Sequence, residues 1–257
     1  MNRQSNTYTI IYSIVLVLIV GVVLSVVYQA LRPAQVENID NDTRRQILAA
    51  ANISVAPGSN VADIYNEHIT DSFIVNSNGD VLEGGDPFRV KTASEAKKPV
   101  EERQLPVFVC QTSDGVKYIV PVSGAGLWGP IWGYVAFDSN CDTIYGAYFA
   151  HQGETPGLGA EIEKPFFRDQ FEGKNIFNQA GDFQSVVVVK SGHEPAEGAY
   201  VHAISGATIT SSGVSAMLQT SLAPYSAFFK KQAALDNAVV STTPQTAEAT
   251  AQAITNE

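Results

Sequence analysis

The amino-acid sequence predicts an α+β protein: a single N-terminal transmembrane helix, then a globular domain in which a twisted antiparallel sheet is flanked by helices. Three observations carry this reading. An uncharged apolar run lies close to the N-terminus, a series of short β-type segments joined by turn residues fills the middle, and apolar residues recur at helical spacing beyond it. The expected divisions are an anchor over 1–34, an α/β segment over 35–104, the main domain over 105–232 and a disordered tail over 233–257.

No charged residue occurs between Gln4 and Leu31, and Ile10 to Val27 is almost wholly apolar. A bilayer-spanning helix needs about 20 such residues. Tyr8, Tyr12 and Tyr28 lie near the ends of the run, where amphipathic rings suit the headgroup zone. A cleaved signal peptide would have a basic start, a shorter core and a small-residue cleavage site. Here only Arg3 precedes the core, Tyr28-Gln29-Ala30 carries a bulky residue where a small one is wanted, and no cysteine follows for lipidation. An uncleaved anchor in membrane lipid is therefore expected. Arg32, Arg44 and Arg45 follow the span and Arg3 precedes it. That bias points weakly to a cytoplasmic domain and does not decide orientation.

The chain has 257 residues, enough for one large or two small domains. Its formal charge of −10 argues against nucleic acid as a partner and reads as solubility. The two cysteines, Cys110 and Cys141, match no zinc or iron–sulfur spacing. Buried free thiols are the favoured reading, with a disulfide left open. His68, His151, His193 and His202 form no His-x-x-x-His pair, so no metal site is expected. No catalytic Ser, His and Asp set stands out, and Glu161 and Glu163 read as solvated loop carboxylates.

After the anchor, Val36–Ala51 carries a partly helical apolar pattern, Pro57-Gly58 marks a break, and Val61–Ile69 suits a short helix. Residues 72–75 and 81–82 flank the turn Asn76-Ser77-Asn78-Gly79-Asp80, a strand–turn–strand signal. Residues 92–103 are charged and read as exposed. Strands are expected at 107–110, 116–122, 131–137 and 143–149, joined by short turns as an antiparallel sheet requires. A later strand over 185–190 carries an unbroken valine run that suggests burial on both faces. Residues 213–230 place Val214, Met217, Leu218, Leu222, Tyr225 and Phe229 on one helix face, kinked at Pro224, with Ser211 and Ser212 as candidate caps.

Two loops attract functional attention. His151-Gln152-Gly153-Glu154-Thr155-Pro156-Gly157-Leu158-Gly159 lets backbone approach a ligand, yet alone is an ordinary turn. Ser205-Gly206-Ala207-Thr208 puts a hydroxyl on low-bulk backbone just before a helix, where an anionic phosphate is favoured. Local physics by itself reads it as a capped turn.

Together these motifs resemble the FMN-binding domain shared by two respiratory assemblies, the Na⁺-translocating NADH:quinone reductase and the ferredoxin-linked Rnf complex. Gly124-Ala125-Gly126-Leu127-Trp128-Gly129 resembles a segment of the quinone-reductase branch, and the single anchor matches it. The resemblance covers roughly Val116 to Phe229. It implies FMN bound covalently, its phosphate esterified to Thr208 by a separate flavin transferase that uses FAD. Ser205, Gly206 and Ala207 would form the approach to that threonine. Glu154, Thr155, Gly157, Leu158 and Gly159 would line the flavin, with Leu127 and Trp128 nearby. It further implies an electron-relaying subunit of a six-subunit assembly in a bacterial inner membrane, with the globular domain periplasmic. Electrons would pass from an iron–sulfur centre to a second flavin subunit and on to quinone. The Rnf counterpart and a non-redox anchored scaffold are the alternatives. One position departs from the motif: His202 stands where an aspartate is usual.

Overall fold

The computed structural model describes residues 6–242. The chain divides into two units, one ending at Arg44 and one beginning at Arg45. The first is helical. Helix α1 (Asn6–Ala50) contains the apolar run, whose most apolar 18-residue window has a mean hydropathy of 3.1 and is 0% buried by protein. A helix apolar all round and uncovered has the length and composition to cross a bilayer. The sequence suggests an anchor ending near residue 34 and a separate helix over 36–51. The structure instead runs both into α1, with Pro33 inside it. A proline removes one backbone hydrogen bond but leaves the turns on either side free to continue.

In the second unit α2 (Val61–His68) is capped by Asn60, whose side chain accepts from the Ala62 N–H at 3.1 Å. Strands β1 (Ile69–Val75) and β2 (Val81–Leu82) flank the expected turn. There Asn76 Oδ1 accepts the N–H groups of Asn78 and Asp80, each at 2.9 Å. The charged 92–103 stretch is not uniformly exposed. It forms the short helix α3 (Thr92–Glu95), and Glu95 is buried, bonded to Lys98 at 2.8 Å and to the Gln104 N–H at 3.0 Å.

Strands β3 (Leu105–Thr112), β4 (Gly115–Ala125), β5 (Pro130–Phe137) and β6 (Ile144–His151) complete one antiparallel six-stranded sheet in the order β2-β1-β3-β4-β5-β6. Side chains alternate between two buried faces. Phe108, Cys110, Ile119 and Ala136 pack with Ile47, Ala50 and Ala51 at the end of α1. Val107, Val120, Val122, Val135 and Phe149 face the other way. They meet Val214, Met217 and Leu218 of α5 (Thr208–Leu222), together with Phe167 of the short helix α4 (Pro165–Arg168) and Phe171.

The valine run behaves differently from expectation. Strand β7 (Val187–Val189) pairs in parallel only with β8 (Tyr200–His202), in a separate two-stranded sheet. Val186 is buried while Val187 is exposed, so one side meets solvent. An unbroken β-branched run records strand propensity and does not require two covered faces. Beyond α5 a 3-10 turn at Ala223–Tyr225 contains Pro224, and α6 (Ser226–Thr242) follows. Helix therefore extends into the expected tail, and residues 243–257 of that segment lie outside the described residues.

The turn between β1 and β2 seats α6. Gly79 has φ +74°, and a Cβ placed there would lie 2.6 Å from the Phe228 backbone nitrogen. Gly79→Ala is expected to destabilise the unit by more than about 1 kcal/mol, from strained φ and displaced α6 together. Chemical denaturation of the detergent-solubilised chain should show an earlier midpoint, and an unchanged midpoint would contradict this packing.

Candidate functional site

Strands β4 and β5 turn through Gly126–Gly129, closed by a hydrogen bond from the Gly126 N–H to the Gly129 carbonyl at 2.8 Å. This tip, the 152–159 loop after β6 and the start of α5 meet around a groove of about 370 Å³. Leu127 and Trp128 line it from the tip, Glu154, Thr155, Leu158 and Gly159 from the loop, and Gly206 through Thr210 from the helix entry. Its apolar rim is open: Trp128 is 68% exposed, Ile209 59%, Leu127 48% and Leu158 40%. Large apolar side chains gathered in the open mark a binding surface.

Helix α5 begins at Thr208, earlier than the serines suggest. Its N-cap, Ala207, makes no side-chain capping bond, so the first-turn N–H groups are left without a side-chain partner and favour an anion. Ser211 and Ser212 lie inside the helix and do not cap it. Ser211 is buried, and its hydroxyl accepts the Ile204 N–H at 3.2 Å. Gly206 is favoured by its φ of +78°, and its lack of a Cβ leaves room for the tip of Leu158, whose Cδ2 would lie 2.8 Å from one. Thr208 is exposed, whereas Thr210 is buried.

Glu154 is 4% exposed. Its Oε1 accepts the Trp128 N–H at 2.7 Å, and its Oε2 accepts the Thr210 hydroxyl at 2.6 Å. The Glu154 N–H donates to His151 Nδ1 at 3.1 Å, and His151 Nε2 lies 3.6 Å from Glu163 Oε1. Glu161 accepts the Gly157 N–H at 3.1 Å. Glu161 and Glu163 are therefore half-buried ties within the loop rather than freely solvated groups.

Of the expected site residues, Leu127, Trp128, Glu154, Thr155, Leu158, Gly159, Gly206, Ala207 and Thr208 come together. Gly157 and Ser205 instead border an adjoining cleft of about 540 Å³, which they share with His202 and Phe166. His202 Nδ1 lies 3.8 Å from Glu194 Oε1, and its backbone N–H donates to Gln170 at 2.8 Å. Ile209 and Thr210 line the groove without having been singled out in the sequence. Thr210 meets its partner 56 positions away, a contact that local pattern cannot reveal.

The arrangement fits a phosphate-bearing planar ligand: an open hydroxyl, an uncapped helix start, low-bulk backbone and an apolar rim. Fold and groove together define an FMN-binding domain, and residues 126–223 match the family of that description. The NqrC subunit of the Na(+)-translocating NADH-quinone reductase from Vibrio alginolyticus is 32% identical over 230 residues, spanning 83% of this chain and 89% of that protein. The counterpart from Pseudomonas aeruginosa is 29% identical over 239 residues, covering 84% and 91%. The crystal structure of the same subunit from Parabacteroides distasonis superposes with a TM-score of 0.72 at 51% identity, covering 77% of this chain and 96% of that one. The chain belongs to the NqrC family, subunits of the Na⁺-translocating NADH-quinone reductases.

Cys110 and Cys141 are free and buried. Burial pushes the Cys110 thiol up to about 11 and the Cys141 thiol higher still. Because the thiolate is the reactive form, neither should take part in redox exchange near neutral pH. Titration with a disulfide reagent at pH 8 is expected to label neither cysteine in the folded chain and both after denaturation. Rapid labelling of the folded chain would show that the sheet interior opens.

Proposed function

We propose that this chain is the electron-carrying FMN subunit of a Na⁺-translocating NADH-quinone reductase, with FMN esterified through its phosphate to Thr208. The observation that carries this reading is the exposed Thr208 at the first position of an uncapped helix. The hydroxyls of Thr210 and Ser211 are less available, since Thr210 donates to Glu154 and Ser211 accepts from Ile204 within buried surroundings, whereas Ser205 and Ser212 are exposed but do not stand at the helix's first position. In attachment, the Thr208 oxygen would bond to the FMN phosphorus of FAD, AMP would leave, and the hydroxyl proton would pass to solvent. A separate flavin transferase would catalyse this step, so the chain needs no general base of its own.

Bound FMN supplies one- and two-electron transfer. The protein's part is to hold and tune it. The first-turn N–H groups of α5 stabilise a phosphate on Thr208. Leu127, Trp128, Leu158 and Ile209 would offer apolar surface to a flat ring in a groove that is open to solvent. Ser205, Gly206 and Ala207 keep the approach narrow in bulk, and Thr155, Gly157 and Gly159 shape the facing loop. His202 sets a ring beside that approach where the family motif has aspartate, which makes the approach less negative.

Membership of the family supports a wider role, which is part of the same proposal. The chain receives electrons from an iron–sulfur centre of the membrane subunits and passes them toward a second flavin subunit and quinone, within a six-subunit assembly. Helix α1 supports single-pass anchoring in a bacterial inner membrane, and the reading places the compact unit on the periplasmic side.

Thr208→Ala is expected to abolish flavin fluorescence that survives denaturing electrophoresis, while the circular dichroism of the folded chain is retained. Intact mass should lose one FMN phosphoester. Fluorescence persisting in that variant would move the attachment elsewhere. A cysteine introduced on the surface of the compact unit should react with a membrane-impermeant maleimide in intact cells stripped of outer membrane. Protection there would place the unit in the cytoplasm.

A further inference from the structure

We propose that Glu154 and Thr210, which line the groove, are positioning residues for the flavin and act through Trp128 and the start of α5; this deepens the FMN reading and rests on it. The Glu154 carboxylate is 4% exposed and both its oxygens are committed, Oε1 to the Trp128 N–H at 2.7 Å and Oε2 to the Thr210 hydroxyl at 2.6 Å. One side chain therefore joins all three segments that build the groove. Space around it is fully used. A Cβ on Gly126 would lie 2.5 Å from Glu154 Oε1, and one on Gly159 would lie 2.6 Å from Thr210 Oγ1.

A buried carboxylate must keep its partners. That requirement converts a local bond into a geometric constraint. The Trp128 N–H is held inward, so the Trp128 ring and Leu127 project into the open. Thr210 is held inward two residues after Thr208, so the helix entry cannot rotate and the Thr208 hydroxyl stays on the outside. The wall that flanks the flavin and the point that tethers it are thereby set by the same carboxylate. A tether alone leaves a flavin free to swing, whereas a fixed wall beside a fixed tether defines its orientation, as preorganised sites do.

Thr210→Val removes only the hydroxyl and keeps the shape, and Thr210→Ser restores the hydroxyl. In the flavin-free full chain in detergent, hydrogen exchange of the Trp128 amide is expected to accelerate at least about tenfold in Thr210→Val, although the Thr210 hydroxyl bonds Glu154 and not the Trp128 amide, and to return in Thr210→Ser. In the flavin-loaded chain, visible circular dichroism and flavin fluorescence anisotropy should change in Thr210→Val and recover in Thr210→Ser. Glu154→Met keeps the side chain's length without its two carboxylate acceptors; it should reproduce the Thr210→Val signature, and it carries the test if Thr210→Val does not fold. The proposal is overturned if Trp128 stays protected in both folded variants, or if exchange rises while the flavin signals remain those of the wild type. Intact mass separates the two levels: wild type without FMN defeats the functional reading, and the exchange experiment then still decides whether the carboxylate couples the segments.

Discussion

In β4 and β5, Ile119 pairs with Ala136 against the last turn of α1, while Val120 pairs with Val135 beneath α5. Neighbouring residues thus serve opposite covered faces. A slip of one residue would send every side chain to the wrong side, so the register is specified twice over. The order of the six strands and the placement of helices on both faces follow from this double burial. The last turn of α1 is part of that arrangement, so the long helix ends as a piece of the core.

The same register brings the site together. In an antiparallel sheet the end of β4, the start of β5 and the end of β6 lie along one edge, and the Gln152 N–H bonds the Pro130 carbonyl at 3.1 Å across it. Helix α5 approaches β4 closely because Gly124 and Gly213 leave room: a Cβ on Gly124 would lie 2.7 Å from the Met217 Cβ. The helix start is therefore delivered to the edge where the two loops already are. Glu154 closes the junction with bonds to one loop and to the helix.

The chemistry proposed for the site is one of holding rather than of acid and base. An uncapped helix start, an exposed Thr208 and an open apolar rim suit a redox group that must face partners, and burial raises both thiols away from their reactive thiolate form. The proposed electron path asks little else of the chain. A fixed orientation and an accessible edge are what a carrier between other subunits requires.

Much of this was legible in the sequence. β-type segments and the turn residues between them marked the strands from Leu105 to His151 to within a few residues, and length with hydropathy marked the apolar helix. The resemblance to the FMN-binding domain implied one site for Thr208, Glu154, Leu158 and Trp128, and the structure brings them to one groove. These features depend on local periodicity, on backbone conformations only glycine accepts readily, and on motifs contiguous in the chain. What local order could not carry is long-range. Continuity of α1 through Pro33, the exposed side of β7, the helical start at Thr208 ahead of Ser211, and the parting of Gly157 and Ser205 into a neighbouring cleft all depend on what packs alongside. Thr210 is the sharpest case. As a sequence position it is one hydroxyl among several, and only folding brings to it a buried carboxylate that must be satisfied.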